Sequence, residues 1–119
     1  MKFDEQSIPV LHRVIDGEAK YVAEITLAPN EQVTFRAPTG AEYDVAAKDW
    51  GLYATPSLGE RLPRFGLRAA LVRSGEGLHL MLVEFGRETD FESDMAASGI
   101  RIHAWLDDGV SVLAEGRIS

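Results

Sequence analysis

The sequence predicts an α+β fold: a strand-rich, mostly antiparallel curved sheet or partial barrel of six to eight strands, with one main helix at about residues 90–98 on one face. Turn-forming residues recur about every eight to ten positions through the first half of the chain, which is typical of an antiparallel meander. The segments between those turns alternate apolar and polar residues with a period of two. One later segment carries the start and stop signals of a helix.

Four short strands are predicted in the first half. Asp16-Gly17 is a hairpin signal between two apolar segments. In the second of these segments the apolar side chains from Tyr21 to Leu27 occupy alternate positions, so they share one face. A helix over residues 10–15, capped by Ser7, is the alternative, but these residues are poor helix formers. The predicted strands are residues 10–15, 20–27, 32–36 and 42–46, with turns at 29–30 and 38–40.

Residues 49–66 lack a sustained period, and we expect a long loop without secondary structure of its own. Two glycines and Pro56 interrupt its first part, and Pro63 rules out a long regular helix in its second part. Loops of this length are uncommon in compact domains and are more often functional than not. The loop is therefore the first place to look for a site.

A hairpin is predicted next, from two apolar segments joined by Ser74-Gly75-Glu76-Gly77. The segments are residues 67–73 and 78–85. Residues 78–83 are apolar in both alternating sets apart from His79. A strand of that kind is expected to be central in its sheet and covered on both faces.

The main helix is predicted to begin with a capping box, because Thr89 and Glu92 are three residues apart. Phe91 and Met95 would form its apolar stripe, and Gly99 would end it in the left-handed conformation. After the helix we expect a strand over residues 100–106 with Arg101, His103 and Trp105 on its polar face, a turn at 107–109 and a returning strand over 110–114.

Length and composition limit the class of protein. At 119 residues, 45% hydrophobic, the chain is expected to be a single domain spanning 1–119. With no cysteine, it has neither disulfides nor a thiolate nucleophile nor a sulfur-based zinc site. Acidic residues near the start and the lack of a long apolar segment predict a cytoplasmic protein that does not bind membranes. A net charge of −7 argues against nucleic-acid binding.

No catalytic motif is found. The sequence has no glycine-rich phosphate loop, no serine elbow and no His-Glu-x-x-His pair. The three histidines have no metal-ligand spacing, and the acids of the main helix are explained by capping and a solvated face. We therefore predict no catalytic residue, no metal site and no cofactor.

A basic cluster in this acidic chain is the candidate binding site. Residues 61–75 contain four arginines and no aspartate or glutamate, which gives this segment a local charge of +4. Guanidinium groups bind carboxylates and phosphates through paired hydrogen bonds. Strand alternation separates Arg73 from Arg68, so the predicted ligand-binding residues are Arg61, Arg64, Arg68, Tyr53 and Ser57. The alternative is that these arginines pair with the chain's own acids.

Three segments also carry a resemblance. They are Trp50-Gly51-Leu52-Tyr53-Ala54-Thr55-Pro56-Ser57, Arg61-Leu62 and Gly66-Leu67-Arg68-Ala69-Ala70-Leu71-Val72. Together they resemble a small uncharacterised family of bacterial proteins. The resemblance implies a bacterial, cytoplasmic origin, and it implies no activity and no catalytic residues.

Three functions are compatible with these features. The first is a non-catalytic binding or accessory module for an anionic small molecule or an acidic segment. The second is a small enzyme acting on a phosphorylated or carboxylated substrate, with Tyr53, Thr55 or Ser57 beside the arginines. The absence of a base–nucleophile pair favours the first. The third is a homo-oligomeric structural protein that pairs through an exposed strand edge.

Overall fold

A computed structural model of the chain describes residues 1–14, 17–75 and 77–108. The strands and helices are β1 (Lys2–Val14), β2 (Gly17–Thr26), β3 (Gln32–Arg36), β4 (Glu42–Lys48), β5 (Gly51–Ala54), α1 (Arg61–Arg64), β6 (Leu67–Ser74), β7 (Gly77–Glu84), α2 (Glu88–Ala97) and β8 (Arg101–Trp105), followed by a 3-10 helix at Leu106–Asp108. The fold is strand-rich and antiparallel with few helices, as predicted.

The predicted single curved sheet of six to eight strands is wrong. The described strands form three small sheets, with strand orders β1-β2, β3-β4-β5 and β7-β6-β8. The meander does not continue from one hairpin to the next because residues 27–31 and 55–66 connect the sheets without adding a strand. Two compact units result, one of residues 1–33 with 44–55 and one of 34–43 with the described part of 56–119. The single-domain expectation stays a prediction.

In the first unit, β1 and β2 form a long antiparallel hairpin that pairs Lys2 with Thr26 and Val14 with Gly17. This confirms the two strands predicted here and rules out the helix alternative over residues 10–14. The first strand begins at Lys2, earlier than expected, and its register shifts between Glu5 and residue 10. Asp16 of the predicted hairpin turn lies outside the described residues.

The predicted loop over residues 49–66 is wrong in two places. Residues 51–54 form β5, which pairs with β4 from Val45–Ala54 to Lys48–Gly51 through a two-residue turn. Gly51 has a φ of +149°, which a glycine adopts without strain. Residues 61–64 then form the single turn α1, and its shortness agrees with the limit that Pro63 sets.

In the second unit, β6 is the central strand, between β7 and β8. The predicted hairpin is confirmed, with β6 and β7 paired from Leu67–Glu84 to Ser74–Gly77. The prediction that residues 78–83 form the central strand is wrong for the described strands, because β8 pairs with β6 and β7 lies at the edge of these three. The apolar sequence of a strand does not determine whether a third strand pairs with it or with its hairpin partner.

The β6 sheet is packed differently on its two faces. On one face, Met95 of α2 is buried, and Phe91 lies edge-on to Trp105 with ring centroids 5.7 Å apart. The apolar stripe predicted for α2 is thereby confirmed, whereas Trp105 is half-buried rather than on a polar face. On the other face, fully buried Leu62 of α1 packs with Leu67 and neighbouring residues. That packing covers one end of the face.

The start of α2 differs from the predicted capping box. Glu88, not Thr89, begins the helix, and Arg87 at the N-cap position makes no side-chain cap hydrogen bond. Instead Oε1 of Glu88 accepts a hydrogen bond of 2.7 Å from the backbone N–H of Gly86. The predicted end is confirmed, since Gly99 has a φ of +72°. The strand predicted over 110–114 lies outside the described residues.

Candidate functional site

Arg68 lies on β6, and its guanidinium is held by the chain's own acids. Nε and Nη2 donate to the two carboxylate oxygens of Asp107 at 2.6 and 3.1 Å, and Nη1 donates to Glu88 at 3.0 Å. The guanidinium carbon also lies 4.2 Å from the ring centroid of Trp105. The side chain is 20% exposed. These contacts connect β6 to α2, to β8 and to the 3-10 helix.

The electrostatics of this cluster agree with a structural role. Hydrogen bonding to Asp107 raises the pKa of Arg68, so its charge is permanent. The backbone N–H of Glu88 itself, and then Arg68, lower the pKa of the Glu88 carboxyl. Because both carboxylates already occupy the planar donors of Arg68, this arginine offers little to an outside anion. The internal pairing considered as an alternative describes Arg68.

Arg61, Arg64 and Ser57 lie together around α1. Oγ of Ser57 accepts the backbone N–H of Arg61 at 3.1 Å, and its carbonyl accepts the N–H of Leu62 at 2.9 Å. Ser57 therefore supports the start of α1. The guanidinium of Arg61 lies 5.7 Å from the ring centroid of Phe65. Arg64 makes a long ion pair of 3.7 Å with Glu60, and its Nε donates to the backbone carbonyl of Glu60 at 3.4 Å; both side chains are exposed.

Tyr53 lies in the first unit, on β5. Its ring is half exposed, and its centroid is 6.5 Å from that of Trp50. The arginines belong to the second unit. The convergence of Tyr53 with them stays a prediction.

A shallow cavity of about 470 Å³ lies within the second unit, and Arg64 is one of its lining residues. A second arginine, Arg87, lines it from the N-cap of α2. The other lining residues are Thr39, Gly40, Ala41, Phe65, Gly66, Glu84 and Phe85. The cavity thus combines two cations, two aromatic rings and one carboxylate.

Arg87 is held more firmly than Arg64 but stays at the surface. Its Nε donates to Asp90 at 2.7 Å, and this hydrogen bond raises the pKa of Arg87. Surface ion pairs three or four residues apart contribute little to stability, so a ligand carboxylate can replace Asp90 or Glu60 at small cost. Both arginines are therefore accessible to an anion in the cavity.

Sequence reasoning missed Arg87 because the basic cluster was defined by proximity along the chain. Arg64 and Arg87 are brought to the same cavity by the pairing of β6 with β7, which ends where the backbone N–H of Phe85 donates to Gly66. The usable signal was the hairpin itself. Its register places the residues that precede β6 beside those that follow β7.

The described residues include neither a metal cluster nor a membrane-spanning helix. None of the His, Asp and Glu residues among them form a group of three or more able to hold a metal ion. Within the same part of the chain, no helix is long and apolar enough to cross a bilayer. Comparisons with protein-family models, curated proteins and solved structures find no match to this chain.

Proposed function

We propose that the protein is a non-catalytic binding module for a small anionic ligand, held in the cavity of the second unit by Arg64 and Arg87. The observation that carries this proposal is that these two arginines, 23 positions apart in sequence (87 − 64), line one cavity. Two guanidinium groups from different elements can bind one carboxylate or phosphate.

The cavity also has an apolar component. Phe65 and Phe85 line it beside the arginines, and Phe85 is largely exposed to solvent. An exposed aromatic ring next to paired cations suits a ligand that has an apolar body and an anionic end. This favours an aryl or acyl carboxylate, or a phosphate monoester of similar shape, over a fully polar metabolite.

Glu84 further restricts which anionic ligands the cavity can bind. Its carboxylate lines the same cavity and repels negative charge. A ligand with several anionic groups would place one of them near Glu84, whereas a ligand with a single anionic group can avoid it. We therefore expect benzoate or phenyl phosphate to bind better than citrate.

The test is a thermal-shift and calorimetric titration with benzoate, phenyl phosphate and citrate at constant ionic strength. A ligand that binds only the folded chain raises Tm as its occupancy rises. We expect benzoate and phenyl phosphate to raise Tm, and Arg64→Ala or Arg87→Ala to abolish the increase. Arg101→Ala is the matched control, because it removes the same charge from an exposed position on β8 outside the cavity.

The results that would refute the proposal are equally specific. An increase of the same size with citrate would indicate a general anion effect rather than this cavity. An increase that persists in both cavity variants would place the ligand elsewhere. Loss of the response in Arg101→Ala as well would mean that net charge, not the arginine pair, is responsible.

A further inference from the structure

Among residues 1–14, 17–75 and 77–108, no strand pairs with the outer edge of β7, and this edge lacks the features that normally protect an edge strand. Exposed edges in natural proteins usually carry lysines, prolines or bulges that prevent pairing with another chain. Residues 78–83 contain no charged residue and no proline. Pairing of β7 with β6 is regular from Leu67–Glu84 to Ser74–Gly77, so no bulge twists the edge away. None of these protective features therefore prevents the edge of β7 from pairing with another strand.

The side chains on the open face of β7 are apolar. Leu78, Leu80 and Leu82 alternate along the strand and are 47%, 53% and 36% exposed. Their neighbour across β6, Leu71, is half-buried and extends the same patch. Three adjacent leucines exposed on an edge strand are a larger apolar patch than isolated surface leucines, which are common.

The backbone groups of the same leucines point away from the sheet. The backbone N–H of Phe85 donates to Gly66 at 2.9 Å, so the odd-numbered residues of β7 face β6. In an antiparallel pair this orientation alternates along the strand. The N–H and C=O groups of Leu78, Leu80 and Leu82 therefore point outward at the free edge.

We propose that β7 pairs with β7 of a second copy of this chain, antiparallel and with the two-fold axis at Leu80. In this register Leu80 lies opposite Leu80 of the partner subunit, and Leu78 lies opposite Leu82 of the partner subunit. Three hydrogen-bonded residue pairs with two bonds each give six hydrogen bonds. The two three-stranded sheets join into one sheet of six strands.

A second copy fits this edge because the edge is complementary to itself. A two-fold axis perpendicular to the sheet pairs even-numbered residues of one copy with even-numbered residues of the other. The leucines of the two copies therefore lie opposite each other on the same face of the joined sheet. No charge opposes a like charge between Leu78 and Leu82. Glu84 lies just beyond this segment and limits the pairing to it.

Net charge gives the dimer a distinctive salt dependence. Each copy carries −7, so two copies repel each other at low ionic strength. The proposed interface consists of contacts between leucine side chains and of backbone hydrogen bonds. Added salt does not screen either kind of interaction. Dimerisation should therefore strengthen as sodium chloride is added, whereas an interface built on ion pairs would weaken.

The first test is sedimentation velocity of the full chain from about 1 to 300 µM at low and high salt. We expect a reversible monomer–dimer equilibrium that Leu80→Lys weakens by roughly a hundredfold or more, because it places two like charges at the two-fold axis. Circular dichroism checks that this variant folds. Leu52→Lys is the matched control, since it adds the same charge at another exposed leucine, on β5, and should leave the dimer intact.

The second test determines the register. The chain has no cysteine, so Leu80→Cys introduces a single thiol at the proposed axis. Mild oxidation should convert this variant to a covalent dimer much faster than His79→Cys, whose side chain points to the other face. A chain that stays monomeric throughout the concentration range, a dimer unaffected by Leu80→Lys, or equal cross-linking of the two variants would each overturn the proposal.

Discussion

Strands β6 and β7 are paired with each other, have eight residues each, and are buried to opposite extents. β6 contains two arginines and nevertheless supplies the buried residues Ala70 and Val72. β7 has a more continuous apolar sequence and exposes three leucines. Burial here follows the number of neighbouring strands and covering helices, not the apolar character of the strand. Within the described part of the chain, the more apolar strand is the one with a neighbouring strand on one side only.

Arg68 and Arg64 show the same contrast between an interior and a surface position. Arg68 is enclosed by Asp107, Glu88 and Trp105, and its charge is satisfied within the chain. Arg64 is exposed and weakly paired at the rim of a cavity. Two arginines four positions apart therefore have different uses, one in stability and one in the proposed binding. Their separation by a strand boundary explains the difference.

The largest expected effect compares one buried residue of β6 with one exposed residue of β7. Val72→Ala removes two methyl groups from a fully buried site and should lower the free energy of unfolding by roughly 2–3 kcal/mol. Leu80→Ala removes a larger group but from an exposed site, and should cost less than about 1 kcal/mol. Urea titrations at concentrations where the chain is monomeric measure both. A larger cost for Leu80 would contradict the edge position of β7.

The second effect concerns the arginines of β6. Arg68→Ala leaves Asp107 and Glu88 without their cation and should cost roughly 1.5–3 kcal/mol. Arg73→Ala, at an exposed position on the same strand, should change the free energy of unfolding by no more than about 0.5 kcal/mol. Denaturant titrations of both variants give the comparison. Equal costs would mean that the ion cluster does not stabilise the fold.

The pH dependence of stability should reveal the contribution of the Glu88 carboxylate to the stability of the fold. Its pKa is lowered in the folded chain, so its contribution is present above the unfolded pKa of about 4.3 and is lost as the pH falls through the lower folded value. Glu88→Gln should therefore be less stable than the natural chain at pH 7, and the difference should shrink below about pH 4.3. Tm measured from pH 7 to pH 3 tests this. A constant difference across that range would exclude the carboxylate as the cause.

The smallest effect is expected at Thr89. The sequence predicts it as the helix cap, where loss of the hydroxyl would cost about 1 kcal/mol. Because α2 begins at Glu88 and shows no side-chain cap, Thr89→Ala should change the free energy of unfolding by less than about 0.5 kcal/mol. A urea titration decides between the two. A cost near 1 kcal/mol would place the helix start at Thr89.

Local features of the fold were predictable because local physics decides them. The hairpin at residues 74–77, the turn at Pro29-Asn30 and the end of α2 at Gly99 follow from turn chemistry and backbone conformation. The number of sheets and the edge position of β7 depend on long-range pairing, about which the alternation of side chains carries no information. The same limit applies to the cavity, since Arg87 reaches Arg64 only through strand pairing.

Backbone hydrogen exchange in β7 tests most directly whether it is an edge strand. The measurement uses Leu80→Lys, in which β7 should remain unpaired on its outer side. We expect the amides of His79, Met81 and Val83 to be protected by their hydrogen bonds to β6, and those of Leu78 and Leu82 to exchange rapidly. Protection that alternates with residue number would support β7 as the edge. Similar protection of both sets would mean that another strand lies beyond β7, and would contradict the account.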